Sequence, residues 1–87
     1  MVEEEKISSK QLIGKNIVSK TGKNFGVVGD LIFETHSGEL INIILANKTS
    51  YAEKLELEKD KEGKILIPFS AVVAIGDFVV IAEEDII

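Results

Sequence analysis

The stretch Ile67-Pro68-Phe69-Ser70-Ala71-Val72-Val73-Ala74-Ile75-Gly76-Asp77-Phe78-Val79-Val80-Ile81 limits the fold more than any other part of the chain. Most of its apolar side chains are β-branched or aromatic, types that suit a pleated surface and lose rotamer freedom in a helix. Pro68 cannot donate to a ladder, so a strand reaching it must end there or lie at a sheet edge. The chain turns a corner over 69–75 and returns through Gly76-Asp77 as a second apolar strand, 78–82. Ile and Val together outnumber Leu three to one in the whole chain, which extends the β reading to the rest of it.

A second run, Phe25-Gly26-Val27-Val28-Gly29-Asp30-Leu31-Ile32-Phe33, is apolar and broken by two glycines. Glycines inside a strand mark bulges, or places where another backbone passes close, as the corners of a small barrel require. Further strands are expected over 12–19, 25–34, 40–46 and 64–67, with turns at 20–24, 35–38 and 59–63. Between them, 51–55 reads as a short helical turn after a Thr49 or Ser50 cap. Leu55-Glu56-Leu57-Glu58 alternates as a half-buried strand does. The expected fold is mainly β: a small closed or partly open barrel of about six strands with at most one short helical turn. Its domain covers residues 11–83, after a charged flexible lead-in (1–10) and before a short acidic tail (84–87).

The chain has 87 residues, one domain near the low end for a self-sufficient core. At that size folding buries only roughly 60–65% of the surface the unfolded chain exposes. The 40–46 and 78–81 strands carry more apolar side chains than one small barrel interior holds. Such an excess points to a seam between copies or a docking patch, with Ile44, Phe78, Val80, Ile86 and Ile87 as candidate interface residues.

Ten Lys, no Arg and fifteen Asp/Glu give a net charge of −5 and a pI near 4.8. Nucleic acid is a poor partner for such a chain, because arginine supplies the bidentate phosphate and base contacts. The absence of cysteine removes disulfide and thiol chemistry. No signal-type start is read at Met1–Lys6, and no apolar run approaches the ~20 residues of a membrane span. A cytoplasmic protein without membrane insertion is expected.

No residue proposes a reaction. His36, the single histidine, sits in the turn Glu34-Thr35-His36-Ser37-Gly38, where neighbours splay to solvent rather than converge as a triad must. One histidine and no cysteine leave no usual zinc set. The segment Asp60-Lys61-Glu62-Gly63 lacks the alternating oxygen ligands of a calcium loop. Asp30 and Asp77 each follow a glycine and precede an apolar run. They could share a cation or a proton, but the simpler reading has each carboxylate capping backbone N–H groups. Gly14, Gly22, Gly26, Gly29, Asp30, Gly38, Pro68, Gly76 and Asp77 are read as turn and corner residues. No catalytic, metal or cofactor site is expected.

These residues resemble the PRC-barrel family, over nearly all of 12–82. The segments that carry the resemblance are Ile13-Gly14-Lys15-Asn16-Ile17-Val18, Gly22-Lys23-Asn24-Phe25-Gly26-Val27-Val28-Gly29-Asp30 and Ser37-Gly38-Glu39-Leu40. The closing segments Ile67–Val72 and Ile75–Val80 look like those of the short stand-alone archaeal members. The resemblance implies a non-enzymatic adaptor that assembles other proteins. Archaeal members are linked to cell division through the SepF anchor of the FtsZ ring, so the expected partners are a second copy and a division protein. A RimM-like role in ribosome assembly or RNA processing is the alternative, although no RimM-type N-terminal domain is read here. The matching positions are structural, so the resemblance carries over no binding residues.

Overall fold

The computed structural model describes residues 9–87, so the lead-in read for 1–10 lies largely outside the described residues. Six strands form one sheet: β1 (Asn16–Ser19), β2 (Asn24–Phe33), β3 (Leu40–Ala46), β4 (Leu66–Pro68), β5 (Val72–Ile75) and β6 (Phe78–Ile81). Their order is β4-β3-β2-β1-β6-β5. Strands β1 to β4 pair as antiparallel neighbours, while β6 lies parallel to β1 and antiparallel to β5. Hydrogen bonds do not join the two outer strands. The result is a small, partly open barrel.

One core shows how the sheet curls. Ile17 of β1 and Val79 and Ile81 of β6 share a buried cluster with Ile43 of β3 and Ile67 of β4. Strands from both ends of the sheet order therefore face each other across the same interior. The long strand β2 serves both halves, pairing with β1 through its first residues and with β3 along the rest. Phe25, fully buried, anchors it and meets Tyr51 edge-on at 5.5 Å between ring centres.

Two glycines let β2 take this course. Gly26 has φ +141°, and a Cβ there would lie 2.7 Å from the carbonyl oxygen of Ala46. Gly29 falls in the register shift between Val28 and Asp30, where a Cβ would lie 2.7 Å from the Cβ of Ala46. Both contacts are closer than any side chain tolerates, so β2 can lie against β3 at these points only without one. Gly14, Gly22 and Gly38 occupy turns with positive φ, whereas Gly76 has open space around its Cβ position.

Several elements differ from the sequence expectation. The first strand starts at Asn16 rather than at 12, because Ser9–Leu12 forms a helical turn, α1, that buries Leu12. Residues 55–58 form no strand. A second helix, α2 (Ser50–Lys54), is capped by the Thr49 hydroxyl on the Ala52 N–H and ends at Leu55. Glu56 then adopts φ +55°, which brings Leu57 into the core after a turn. The alternation of leucines thus arises from a helix end, and only the isolated bridge Lys59–Ile65 pairs nearby. The proline-led corner is shorter than 69–75. A 3-10 turn covers Phe69–Ala71, and Val72–Ile75 is itself strand β5, hairpinned to β6 through Gly76-Asp77. With a second 3-10 turn at Glu83–Asp85, the helical turns outnumber the one expected. Pro68 ends β4, an outer strand of the sheet, opposite Asn42.

Gly26→Ala is expected to cost ~2–4 kcal/mol, because it combines the positive φ with a clash against backbone that cannot swing away. Gly29→Ala should cost ~1–3 kcal/mol and be partly rescued by Ala46→Gly, which removes the opposing methyl. Gly76→Ala should lie within about 1 kcal/mol of the parent, on the stable side. Urea melts of the four single variants and the Gly29→Ala/Ala46→Gly pair test these values together.

Candidate interaction surface

Charge is distributed unevenly over this fold. The chain has 25 Lys, Asp and Glu residues, 29% of its length, yet Asp30 is the one charged residue in the six strands. Every other charge among the described residues lies in a turn, a helix or a connecting segment. An antiparallel sheet with one wet face normally alternates apolar-in with polar-out. Here the alternation is apolar-in with largely apolar-out.

Register identifies the outward side chains. Ile17 and Val79 point into the core, so their neighbours Asn16, Val18, Phe78 and Val80 point out. Val27 lies beside Asn16, and Asn24 beside Val18. These residues belong to the half of the barrel made by β5, β6, β1 and the start of β2. On the other half, Ile44 faces out between Leu66 and Asp30, and Asn42 between Pro68 and Ile32. None of these outward apolar residues packs against the core cluster, whereas Leu31, Leu40, Val72 and Ile75 do. Phe78 is 48% exposed and the bulged Val73 53%. Because both halves line one interior, the two outward faces point to opposite sides of the barrel.

The structure separates the residues that the sequence grouped as interface candidates. Phe78 and Val80 share one face, and Ile44 lies on the opposite one. Ile86 packs against the core, while Ile87 is 71% exposed. Val18, Val27, Ile32 and Leu66 complete the two faces and were not singled out from sequence. Their signal was present as uncharged, β-branched or apolar alternates in each strand, but reading it requires the register.

The chemical candidates remain apart. Asp30 accepts the N–H of Leu31 at 2.8 Å, a local cap within its own strand. Asp77 lies in the β5–β6 turn, and no hydrogen bond joins the two carboxylates. His36 is exposed, and the functional group of its turn is Glu34, whose carboxylate accepts the N–H groups of His36 at 2.8 Å and Ser37 at 2.7 Å. Asp60 caps its own turn, accepting from Glu62 and Lys64 at 2.9 Å each. Among the described residues no three His, Cys, Asp or Glu side chains are grouped to hold a metal ion. An open groove of about 240 Å³ is lined by Ser19, Lys20, Thr21, Glu83, Glu84 and Ile87. The Lys20–Glu84 ion pair, at 2.8 Å, spans it.

Curvature and topology define a small β-barrel module. The PRC-barrel domain family matches residues 4–85, and the chain belongs to that family. It is 32% identical, over 82 residues, to an uncharacterized protein of Methanocaldococcus jannaschii, covering 94% of this chain and 88% of the relative. That archaeal relative places it with the short archaeal members. No enzymatic family is indicated, and no helix among the described residues is long and apolar enough to cross a membrane.

The closing segment is tied to the barrel by titratable groups, so its attachment should depend on pH. The Tyr51 hydroxyl donates to the Glu83 carboxylate, a bond that raises the tyrosine pKa, helped by desolvation. The hydrogen bond between Lys20 and Glu84 raises the lysine pKa and lowers that of the glutamate. Glu34 is lowered by the Ser37 N–H. Carboxylates lowered on folding stabilise above their unfolded pKa and lose that contribution as pH falls through the folded one. Groups raised on folding stabilise below their unfolded pKa and lose the contribution as pH rises through the folded one. Melting temperature should therefore be flat through neutrality and fall at both extremes, by small amounts because these groups are exposed. Glu84→Gln should flatten part of the acid fall, and Tyr51→Phe part of the alkaline one, in thermal melts across pH.

Proposed function

We propose that this domain is a protein-binding adaptor without a reaction of its own, acting in the cytoplasm as a homodimer that joins a partner protein into an assembly. The observation that carries the reading is the outward apolar surface of the strands, from which charge has been withdrawn to the turns. A six-stranded sheet in a strongly charged chain has no folding reason to leave Phe78 exposed and Val18, Val27, Ile44 and Val80 only half-buried on outward faces. Burial against another protein removes the hydrophobic penalty.

The partner proposed is a component of archaeal cell division, an anchor of the SepF type that links to the FtsZ ring. Support for this setting comes from the resemblance to the short archaeal PRC-barrel members, together with the archaeal relative. A ribosome-assembly or RNA-processing role has one observation in its favour. Residues 9–24 hold Lys10, Lys15, Lys20 and Lys23 with no acidic residue. Three of those ammonium groups are already engaged. Lys15 donates to the Gly76 carbonyl at 2.7 Å, Lys20 pairs with Glu84, and Lys23 lies over the Tyr51 ring at 5.5 Å. A phosphate backbone would have to compete with each contact, which favours the protein partner.

Crosslinked affinity capture of the tagged protein from its own host, read by mass spectrometry, tests the choice. The expected product is a division anchor or ring component crosslinked to the barrel, with yield unchanged by ribonuclease. Ribosomal proteins recovered in RNA-dependent yield, with salt-sensitive gel shifts of the pure protein on RNA, would replace the adaptor reading.

A further inference from the structure

We propose that the face formed by β1, β6 and the start of β2 seats a second copy of this chain across a two-fold axis, leaving the opposite β3–β4 face outward. The assignment rests on the self-association proposed above and adds its location.

A two-fold interface brings each residue near the axis against a copy of itself. A charged side chain there would meet its own like charge, an arrangement that costs several-fold to many-fold in affinity. The outward positions of this face are Val18, Val27, Phe78 and Val80, with the amides Asn16 and Asn24, and none ionises. The opposite face carries Asp30 directly beside Ile44. Two copies joined there would bring two carboxylates together in a chain that has no arginine to bridge them. Of the two apolar surfaces, only one is compatible with self-pairing at its centre.

The rim is also self-complementary. Each end of the β1–β6 pair presents one base and one acid. Lys15 and Asp77 immediately precede Asn16 and Phe78, which are register partners. Lys20 and Glu84 lie at the other end, joined by their ion pair. A two-fold axis running along the strands lays β1 of each copy over β6 of the other with the strands parallel, so Lys15 meets Asp77 and Lys20 meets Glu84 around an uncharged centre. Phe78, the exposed aromatic of the face, supplies the anchor such an interface needs. The resulting pair has an Asp30 face on each side.

Sedimentation velocity over a concentration series, on the wild type and on Val80→Asp and Ile44→Asp variants, tests the proposal. The wild type should sediment at twice the 9.5 kDa chain mass. Val80→Asp should raise the dimer dissociation constant at least about 100-fold, and Ile44→Asp should leave it within about threefold. Because the chain has no cysteine, single-cysteine variants give a readout that does not depend on a disruptive charge. Asn16→Cys should form an intermolecular disulfide under mild oxidation, and Asn42→Cys should not. A wild type that stays monomeric at every concentration would remove the self-association itself. A dimer that survives Val80→Asp but dissociates with Ile44→Asp, or that crosslinks through Asn42→Cys and not Asn16→Cys, would leave self-association standing and overturn this location.

Discussion

The close passage of β2 over the end of β3 is the contact on which the rest of the architecture depends. At Gly26 and Gly29 the two strands lie nearer than any Cβ allows, with the Ala46 carbonyl and methyl filling the space. The Gly29 register shift gives one ten-residue strand the bend it needs to serve both halves of the barrel. Without that bend, Ile17, Val79 and Ile81 could not share an interior with Ile43 and Ile67. A flatter sheet of this length would leave one face of each strand in water, and a chain this small has no other layer with which to cover it.

Curling solves the problem for one set of alternate side chains and creates it for the other. The inward set closes a continuous core. The outward set is nearly as apolar, and its charges have been moved to the turns, where Glu34 and Asp60 cap backbone N–H groups and Lys20 holds Glu84. Polar turns and uncharged strand faces suit a module that works by contact. In charge the two faces differ by the single carboxylate of Asp30, the difference on which the proposed self-pairing rests.

Much of this was legible before any coordinates. Strand β3 was readable end to end over 40–46 because it is an unbroken apolar run between turn signals, and β2 because glycines interrupt rather than end it. The misreadings share a cause. Leu12 and Ile13 look like the start of a strand, but Leu12 enters the core from a helical turn and the chain is redirected at Gly14. Leu55 and Leu57 have the spacing of a strand, but a helix end and the left-handed Glu56 lie between them. Apolar residues two apart report that both reach the core, and short runs do not report by which backbone path. In the sequence the 72–75 segment reads as a corner because its strand partner, β6, follows only after the turn at Gly76-Asp77.

By itself the sequence determined the class of fold, the places where the backbone must turn or approach closely, and the absence of cysteine and arginine chemistry. Those follow from local stereochemistry and from residue types present or absent, which need no partner to act. The tertiary structure alone decided which apolar residues are core and which are surface. Phe78, Val80 and Ile44 read alike in the chain as Val79 and Ile43 do, and Ile86 reads like Ile87. Strand register and curvature place Val79 and Ile43 against the interior and turn Phe78, Val80 and Ile44 outward, while the closing 3-10 turn folds Ile86 onto the core and leaves Ile87 exposed. Inside and outside are properties of the closed sheet, because a period of two distinguishes two faces without saying which of them the barrel will enclose.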